Sequence, residues 1–251
     1  MSENLEEYIV GRNPVREALN SGREINKAWI LENKGEKRDA RLSDLEQELK
    51  DRGVLVYYSP RSALDKISPT AAHQGVIIQV AARSYVDSRK LIEQLREEGK
   101  PGFILILDEL QDGHNLGACL RIADAAAVDL VVIPERRSAV LDQFVAKASA
   151  GAVEYVPVAR EVNLSRFIAD LKEAGYWIYA SAGEAEDNYT EQDFKGNIAI
   201  IIGNEGKGIS QKIKENSDFL IKIPMYGKIN SLNASVACGV LCFEAARQRH
   251  A

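Results

Sequence analysis

From residue 102 onward, the chain repeats one pattern: a run of four to six apolar residues, then a segment with helical periodicity. The runs FILIL at 103–107 and IAIII at 198–202 are apolar at every position, which is typical of strands buried on both faces. Such strands separated by helices predict an α/β domain built on a parallel sheet. The other predicted strands are LVVI, VEYVPV, YWIYA and FLIKI, and the predicted helices lie near 116–127, 138–149, 163–174, 209–215 and 233–248.

The N-terminal residues predict a separate, smaller α/β unit. Asn13 is placed to cap a helix that has Pro14 at its first position and ends at Gly22. The strand INKAWIL, an amphipathic helix ending at Gly53, and the strands VLVYY and GVIIQV follow. A polar, charge-rich segment then ends in Gly-Lys-Pro-Gly, which indicates a domain boundary. The predicted division is 1–82, a linker at 83–101, and 102–251.

The composition is that of an ordinary globular protein, with 45% hydrophobic and 27% charged residues. The chain carries 37 acidic and 32 basic side chains, a balance that argues against a protein that coats nucleic acid nonspecifically. It leaves open an enzyme that acts on a specific nucleic acid. Residues 1–100 hold 17 basic and 17 acidic side chains, so the net negative charge lies in the rest of the chain. The N-terminal part is therefore the better candidate for contacting a polyanion.

The N-terminus has acidic residues where a signal peptide needs basic ones, and the longest apolar runs are only strand-length. We therefore expect a soluble, cytoplasmic protein with no membrane segment. Cys119, Cys238 and Cys242 form no C-x-x-C pair, which fits a reducing compartment. No His or Cys near them would complete a metal site, so we expect small buried residues and no metal.

Three predicted strands end in unusually polar loops. FILIL continues into DELQDGHNLGACLRIADAA, IAIII into GNEGKGIS, and FLIKI into PMYGKINSLNASVA. Ligands bind at the carboxyl ends of the strands in open parallel sheets, so these loops predict the functional site. The first loop contains the acidic residues Asp108, Glu109 and Asp112. We expect their side chains to be solvated or to cap the following helix rather than to form a metal site. His114, in the same loop, is a candidate for substrate contact.

Several common classes of site do not match the sequence. A phosphate loop ends in Gly-Lys-Ser/Thr, whereas here Lys207 precedes Gly208 and Ile209 intervenes. The G-x-G-x-x-G fingerprint of dinucleotide-binding folds and the G-x-S-x-G motif of hydrolases are both absent from the sequence. We therefore disfavour a nucleotide triphosphatase, a dinucleotide-dependent enzyme and a serine hydrolase.

The segments HNLGACLRIADAA, IIGNEGKGIS and IPMYGKINSLNASVACGVLCFEAARQR resemble the three motifs of the SpoU family, within the SPOUT superfamily, in the correct order and spacing. Members of that family are S-adenosylmethionine-dependent RNA 2′-O-methyltransferases. The segments YIVGRNPVREAL and AAHQGVIIQV resemble the small N-terminal RNA-binding domain of bacterial members that methylate a guanosine ribose in 23S ribosomal RNA.

The resemblance implies a methyltransferase domain whose C-terminal segment forms a trefoil knot. Sequence physics alone would not suggest this feature, because knots are rare. The resemblance also implies that S-adenosylmethionine binds at the second and third motifs. Gly203 and Gly206 would let the backbone approach this ligand or serve a tight turn. The residues implied for the methyl donor are Ala182, Gly183, Ile202, Gly203, Asn204, Ile223, Met225, Leu232 and Ala234.

Five residues match the catalytic positions of the family motifs: Asn115, Arg121, Glu205, Ser231 and Asn233. Arg121 would hold the neighbouring phosphate and stabilise the developing alkoxide, or take the proton itself. Its structural alternative is an ion pair with Asp124. The alternative for Asn115 is a cap for a helix that starts at Leu116, and Asn233 would in addition cap the last helix. Asn204 also fits the motif and is given no catalytic part.

Family members are homodimers, which implies a second copy near the active site. Val236, Val240, Phe243 and Ala246 share one face of the last helix and predict either a core face or a dimer face. In the N-terminal part, the candidates for phosphate contact are Arg12, Asn13, Arg16, Lys34, Lys37, Arg38 and Arg41. Acidic residues interleave the last four, which favours a solvated loop for each of those four.

The favoured activity is therefore methylation of a ribose 2′-hydroxyl, with a guanosine of 23S ribosomal RNA as the target. The same reaction on transfer RNA, or on another ribosomal site as in a drug-resistance methyltransferase, is an open alternative. A relative that binds RNA without catalysis is disfavoured because all five catalytic positions match.

Overall fold

The computed structural model describes residues 6–33, 39–68, 73–81, 85–204 and 206–251. The strands are β1 (Glu6–Val10), β2 (Ile25–Leu31), β3 (Leu55–Ser59), β4 (Val76–Ala81), β5 (Phe103–Leu107), β6 (Leu130–Pro134), β7 (Val158–Glu161), β8 (Trp177–Ser181), β9 (Asp187–Asn188), β10 (Ile198–Ile202) and β11 (Phe219–Lys222). The helices are α1 (Arg12–Asn20), α2 (Ala40–Asp51), α3 (Arg61–Ile67), α4 (Ser88–Glu97), α5 (Gly113–Ala125), α6 (Gln143–Ala148), α7 (Leu164–Glu173), α8 (Gln211–Asn216) and α9 (Ala234–Arg249).

The chain forms two compact units. One holds the N-terminal residues together with Leu141–Tyr155, and the other holds Tyr85–Val140 together with Val156–Ala251. The predicted linker segment contains α4. Among the described residues, no helix is both long enough and apolar enough to cross a bilayer.

The first unit is a four-stranded sheet in the order β1-β4-β2-β3. β4 runs antiparallel to β1 and β2, and β3 runs parallel to β2. Alternate residues of β2 and β4, such as Ala28, Ile30 and Ile78, face α1 and α2 and are fully buried. This is the predicted α/β unit, although the sequence patterns did not predict β1.

The start of α1 differs from the prediction. The helix begins at Arg12, and the residue before it is Gly11, at φ 99°, with no capping side chain. Glycine reaches this angle without strain, so the chain turns from β1 directly into the helix. Asn13 therefore lies in the first turn, and the prediction that it caps the helix is wrong.

The second unit is a seven-stranded sheet in the order β7-β6-β5-β10-β8-β11-β9, and every paired strand is parallel. Every residue of β5 and of β10 is buried, which confirms the prediction from their unbroken apolar runs. Phe167 and Ile168 of α7 pack on one face of the sheet, against Ile104. On the other face, the Arg249 guanidinium of α9 lies over the Phe103 ring.

Two predicted elements are shorter or shifted. The strand expected at VEYVPV begins only at Val158, and Ala152–Glu154 form a short 3₁₀ helix. The helix expected over 138–149 is the six-residue α6, which packs against β1 in the first unit. Packing with residues far away in the chain overrides the local strand preference here.

The three cysteines are buried, as the small-residue interpretation predicted, with 3.8 Å between the Cys238 and Cys242 sulfurs. Within the described ranges, His, Cys, Asp and Glu side chains form no group of three or more that could hold a metal ion. The strand order does not define how the chain threads, so the trefoil knot stays a prediction.

Candidate active site

The carboxyl ends of β8, β10 and β11 open on one cavity of about 150 Å³. Because parallel strands present these ends at the same edge of the sheet, loops that are distant in sequence meet there. All nine residues that the resemblance implies for the methyl donor line this cavity. Its remaining lining residues are Ser181, Gly208, Asn230, Ser231 and Ala237.

The cavity walls are mainly small or apolar. Ile202, Ala182 and Ala234 are 2%, 6% and 4% exposed, so they form a fixed inner wall. Met225 is 38% exposed and stands at the outer side. Apolar walls beside polar strand ends suit a flat heteroaromatic ring, which needs a slot and hydrogen bonds along its edge.

The loop after β10 is held closed by Asn204. The Asn204 and Gly208 backbones bond each other in both directions, at 3.2 and 2.8 Å. The Asn204 Oδ1 atom accepts from the amides of Gly206 and Lys207, at 2.9 and 3.3 Å. Its Nδ2 atom donates to the carbonyl oxygen of Glu109 at 3.1 Å and so ties this loop to the loop after β5. Asn204 therefore fixes the conformation of its own loop and its distance from the loop after β5.

Gly203 is required by the loop itself. A Cβ atom at this position would lie 2.4 Å from the carbonyl carbon of Gly208 and 2.5 Å from the amide nitrogen of Ile209. Neither backbone atom can move without opening the loop. Gly203 therefore serves a tight turn, which is compatible with the expected approach of its backbone to a ligand. At Gly206 a Cβ atom would meet only the Asn204 side chain, at 3.6 Å.

The first and third motifs meet through two asparagines. The Asn233 Nδ2 atom donates to the Asn115 Oδ1 atom at 3.0 Å. The Asn233 Oδ1 atom accepts from the amides of Ser235 and Val236, at 2.9 and 3.3 Å, and so caps α9. Asn233 therefore both caps a helix and orients a second motif residue.

The cap of α5 is Asp112, whose carboxylate accepts a hydrogen bond from the backbone amide of Asn115 at 2.9 Å. The alternative in which Asn115 caps a helix starting at Leu116 is wrong, because α5 begins three residues earlier. The side chain of Asn115 is thereby left to contact Asn233.

The Arg121 side chain projects into solvent from α5. Of the residues that the structure describes, none forms a hydrogen bond or ion pair with its guanidinium, so the alternative ion pair with Asp124 is not formed. Arg121 does not line the cavity. Ser231 is exposed at the cavity wall, and Glu205 lies outside the described residues.

The acidic residues after β5 have three different environments. Asp112 is a helix cap, as expected, and Glu109 forms an ion pair with Arg137 at 3.0 Å. Asp108 is only 5% exposed and accepts the Ser210 amide at 3.3 Å, so the expectation of a solvated side chain is wrong for this residue. Burial raises the pKa of Asp108. Asp108 directly follows five apolar residues, and this position in the sequence could have indicated that its side chain is buried.

Residues implied for RNA contact line a separate cleft in the first unit. Arg12, Asn13 and Arg16 lie there beside Arg41 and Gln74. The Arg12 Nε atom donates to the Gln74 carbonyl oxygen at 3.0 Å, and its guanidinium lowers the pKa of Asp39 through a hydrogen bond. The other candidates for phosphate contact, Lys34, Lys37 and Arg38, lie outside the described residues.

The predicted face of α9 is not part of the core. Val236 and Phe243 are each 51% exposed, so core packing is wrong for these two residues. The buried residues of α9 are instead Ala234, Cys238, Leu241, Cys242 and Ala245. The face with Val236 and Phe243 therefore remains available to a second molecule.

Comparison with known proteins gives two family matches. Residues 102–243 match the SpoU rRNA Methylase family, and residues 8–86 match the family described as RNA 2′-O ribose methyltransferase substrate binding. The chain is also 43% identical over 244 residues to YacO of Bacillus subtilis (strain 168), whose name assigns it to the TrmH family of tRNA/rRNA methyltransferases. That match covers 97% of this chain and 96% of YacO.

Two solved structures share the fold over nearly the whole chain. The SpoU methyltransferase AviRb from Streptomyces viridochromogenes, solved in complex with AdoMet, has a TM-score of 0.82 at 19% identity, covering 98% of this chain and 91% of that one. An RNA 2′-O ribose methyltransferase has a TM-score of 0.79 at 25% identity, covering 99% and 90%.

Proposed function

Because the chain belongs to the SpoU rRNA methylase family, whose members are RNA methyltransferases, we propose that it transfers a methyl group from S-adenosylmethionine to a ribose 2′-hydroxyl of RNA. We further propose a guanosine of 23S ribosomal RNA as the target. The resemblance of the N-terminal segments supports that choice.

One observation carries the proposal: loops after three strands place all nine implied donor-contacting residues around one cavity. Small apolar side chains beside strand ends fit the adenine ring of S-adenosylmethionine. Ile202, at the end of β10, and Ala234, at the start of α9, would hold that ring, with Leu232 and Met225 also in the cavity wall. When bound, S-adenosylmethionine supplies a methyl group activated by a positively charged sulfur.

The protein must position a weak nucleophile. A ribose hydroxyl is poorly reactive at neutral pH, so geometry and charge stabilisation must lower the barrier. The guanidinium of Arg121 carries a positive charge and presents several N–H donors. It has no protein partner among the described residues, which leaves it available to the RNA phosphate and to the developing alkoxide. Direct proton removal by Arg121 is the alternative role.

The asparagine pair would align the ribose and the Arg121 guanidinium. Asn233 is fixed by its capping bonds to α9 and in turn fixes the Asn115 side chain. Ser231, in the cavity wall, lies two residues before Asn233 and would contact the same sugar. The proposed role of Glu205, which is to orient Arg121 or the substrate, rests on the resemblance.

The proposal includes a homodimer in which a second copy covers the exposed face of α9. Val236, Val240 and Phe243 are spaced at four and three residues, so they form one stripe along the helix. Apolar side chains exposed in such a stripe are stabilised when a partner removes them from water.

We propose RNA binding for the N-terminal domain (1–82), joined by the linker (83–101) to the methyltransferase domain (102–251). Arg12, Asn13 and Arg16 would contact RNA in the cleft of the first unit, and the substrate-binding family match over 8–86 supports this role. The location expected for such an enzyme is the cytoplasm.

The test is transfer of a labelled methyl group from S-adenosylmethionine to unmodified ribosomal and transfer RNA, followed by digestion to nucleosides. The proposal predicts label in 2′-O-methylguanosine of 23S RNA. Label in transfer RNA or in another nucleoside would contradict the proposed target, and the name of the YacO relative covers both RNA classes. Donor binding without labelling of any RNA would contradict catalysis on free RNA.

A further inference from the structure

A second cleft, of about 350 Å³, lies beyond the carboxyl ends of β6 and β7. We call it the basic cleft. Its basic side chains are Arg136, Arg137 and Lys212, and its acidic side chains are Asp108 and Glu109. The other lining residues are Pro134, Val162, Asn163, Leu164, Ser165, Ser210 and Ile213.

The charges in the basic cleft do not cancel. Glu109 is neutralised by Arg137, at 3.0 Å, and the buried Asp108 carboxylate faces the Ser210 amide. Arg136 and Lys212 are exposed, and within the described part of the chain neither side chain has an ion pair or hydrogen bond. With three basic and two acidic side chains, the cleft carries one excess positive charge on a chain with a net charge of −5, and Arg136 and Lys212 are its unpaired cations.

The basic cleft is structurally joined to the donor cavity. Glu109 lines the cleft, and its carbonyl oxygen accepts a hydrogen bond from Asn204, which lines the cavity, at 3.1 Å. The hydrogen bond from the Ser210 amide to Asp108 likewise links the segment before α8 to the loop after β5. Hydrogen bonds therefore connect the loops that line the two concave sites, at the same edge of the sheet.

The lining chemistry favours phosphates over bases. Among the described residues, no aromatic side chain lines the cleft, so it offers no aromatic ring on which a base could stack. Free guanidinium and ammonium groups, with Asn163 and Ser165 nearby, are instead the groups that contact backbone phosphates. A site of this kind holds a strand in place without reading its sequence.

We propose that the basic cleft binds backbone phosphates of the RNA strand next to the nucleotide that is methylated, with Arg136 and Lys212 as the contacting residues. This inference rests on the proposed function. It adds an RNA contact in the methyltransferase unit that is separate from the first-unit cleft and from Arg121.

The test compares two double variants with the same charge change. R136A/K212A removes the two free cations of the cleft. R96A/K195A removes one exposed arginine and one exposed lysine from the segments before β5 and β10, at the amino-terminal edge of the sheet. For each, the KM and kcat with RNA, the salt dependence of RNA affinity and the affinity for S-adenosylmethionine are measured.

We expect R136A/K212A to raise the KM for RNA by about tenfold and to reduce the slope of log affinity against log salt by about 1 to 2, because each lost phosphate contact lowers that slope by about 0.7 to 0.9. Donor affinity and the kcat at saturating RNA should stay within about twofold of wild type. The control variant should match wild type in all four measurements.

The outcomes separate the two proposals. If wild-type protein neither binds nor methylates RNA, the proposed function fails and the inference fails with it. If wild type is active and R136A/K212A keeps the wild-type KM and salt slope, only the basic cleft is contradicted. An equal loss in the control variant, or a fall in donor affinity, also contradicts specific phosphate binding in the cleft.

Discussion

The side-chain amide of Asn233 donates a hydrogen bond to the Oδ1 atom of Asn115 across 3.0 Å, although 118 residues separate them in sequence. Asn233 is the N-cap of α9 and Asn115 lies in the first turn of α5, and these two helices pack against each other. The bond therefore connects helix packing directly to the geometry of the proposed active site.

Two substitutions at Asn233 should separate its two roles. Asn233→Ala removes the cap and should lower the free energy of unfolding by about 1 kcal/mol, which corresponds to about 2–4 °C in Tm for a chain of this size. Asn233→Asp keeps a capping oxygen but cannot donate to Asn115. It should retain wild-type Tm and lose methyltransferase activity to a similar degree as Asn233→Ala. An active Asn233→Asp variant would show that the bond to Asn115 is unimportant for catalysis.

Substitution of Arg121 should affect activity and not folding. Because the side chain is exposed and makes no hydrogen bond within the described residues, Arg121→Ala should leave the Tm within about 1 °C of wild type. Removal of one charge-stabilising donor typically lowers kcat by about 10²–10³. Single-turnover methyl transfer and a thermal melt check both parts. A variant with wild-type kcat would remove Arg121 from the mechanism.

Gly203→Ala should disrupt the loop after β10. The added Cβ atom would overlap the backbone of Gly208 and Ile209, and such overpacking costs about 1–3 kcal/mol. Affinity for S-adenosylmethionine, measured by calorimetry, should fall because Gly203 and Gly208 both line the cavity. Gly196→Ala is the matched control, since a Cβ atom there meets nothing within 4 Å. Equal donor affinity in both variants would argue against this account.

Phe243→Asp should produce a monomer. A charge within the exposed α9 stripe opposes burial of that face against a second copy. Sedimentation at several concentrations should show a dimer for wild type and a monomer for Phe243→Asp. Val140→Asp, at a residue that is 49% exposed and outside α9, is the control and should stay dimeric. A dimeric Phe243→Asp variant, or a monomeric wild type, would contradict the proposed interface.

The buried carboxyl of Asp108 predicts a pH-dependent stability difference. Desolvation raises its pKa above the ordinary value of 3.8, so the native state binds this proton more tightly than the unfolded chain does. The resulting stabilisation is present below about pH 4 and is lost as pH rises through the native pKa. Asp108→Asn keeps an acceptor for the Ser210 amide without the charge.

Chemical denaturation of wild type and Asp108→Asn at pH 4 and pH 7 checks this prediction. The free energy of unfolding of the variant, relative to wild type, should be higher at pH 7 than at pH 4. A difference that is the same at both pH values would mean that Asp108 titrates normally in the native state.

The sequence by itself determined the elements whose local residue pattern is enough to predict them. β5 and β10 are apolar throughout because both of their faces are covered, so local pattern alone predicts buried strands. The polar loops that follow them, and the motifs that carry the family resemblance, placed the cavity-lining residues in advance. The capping role of Asn233 could also be predicted from the sequence, because capping depends on a few adjacent residues.

Only the tertiary structure decided which neighbours each element meets. It associated α6 with the first unit, left Val236 and Phe243 exposed, and joined Asn115 to Asn233. It also brought Arg136 and Lys212 together in one cleft. Local periodicity reports that a face is apolar or charged, but the surface that covers it comes from residues distant in sequence. Such contacts exist only once the whole chain has packed, because burial is a property of the assembled fold.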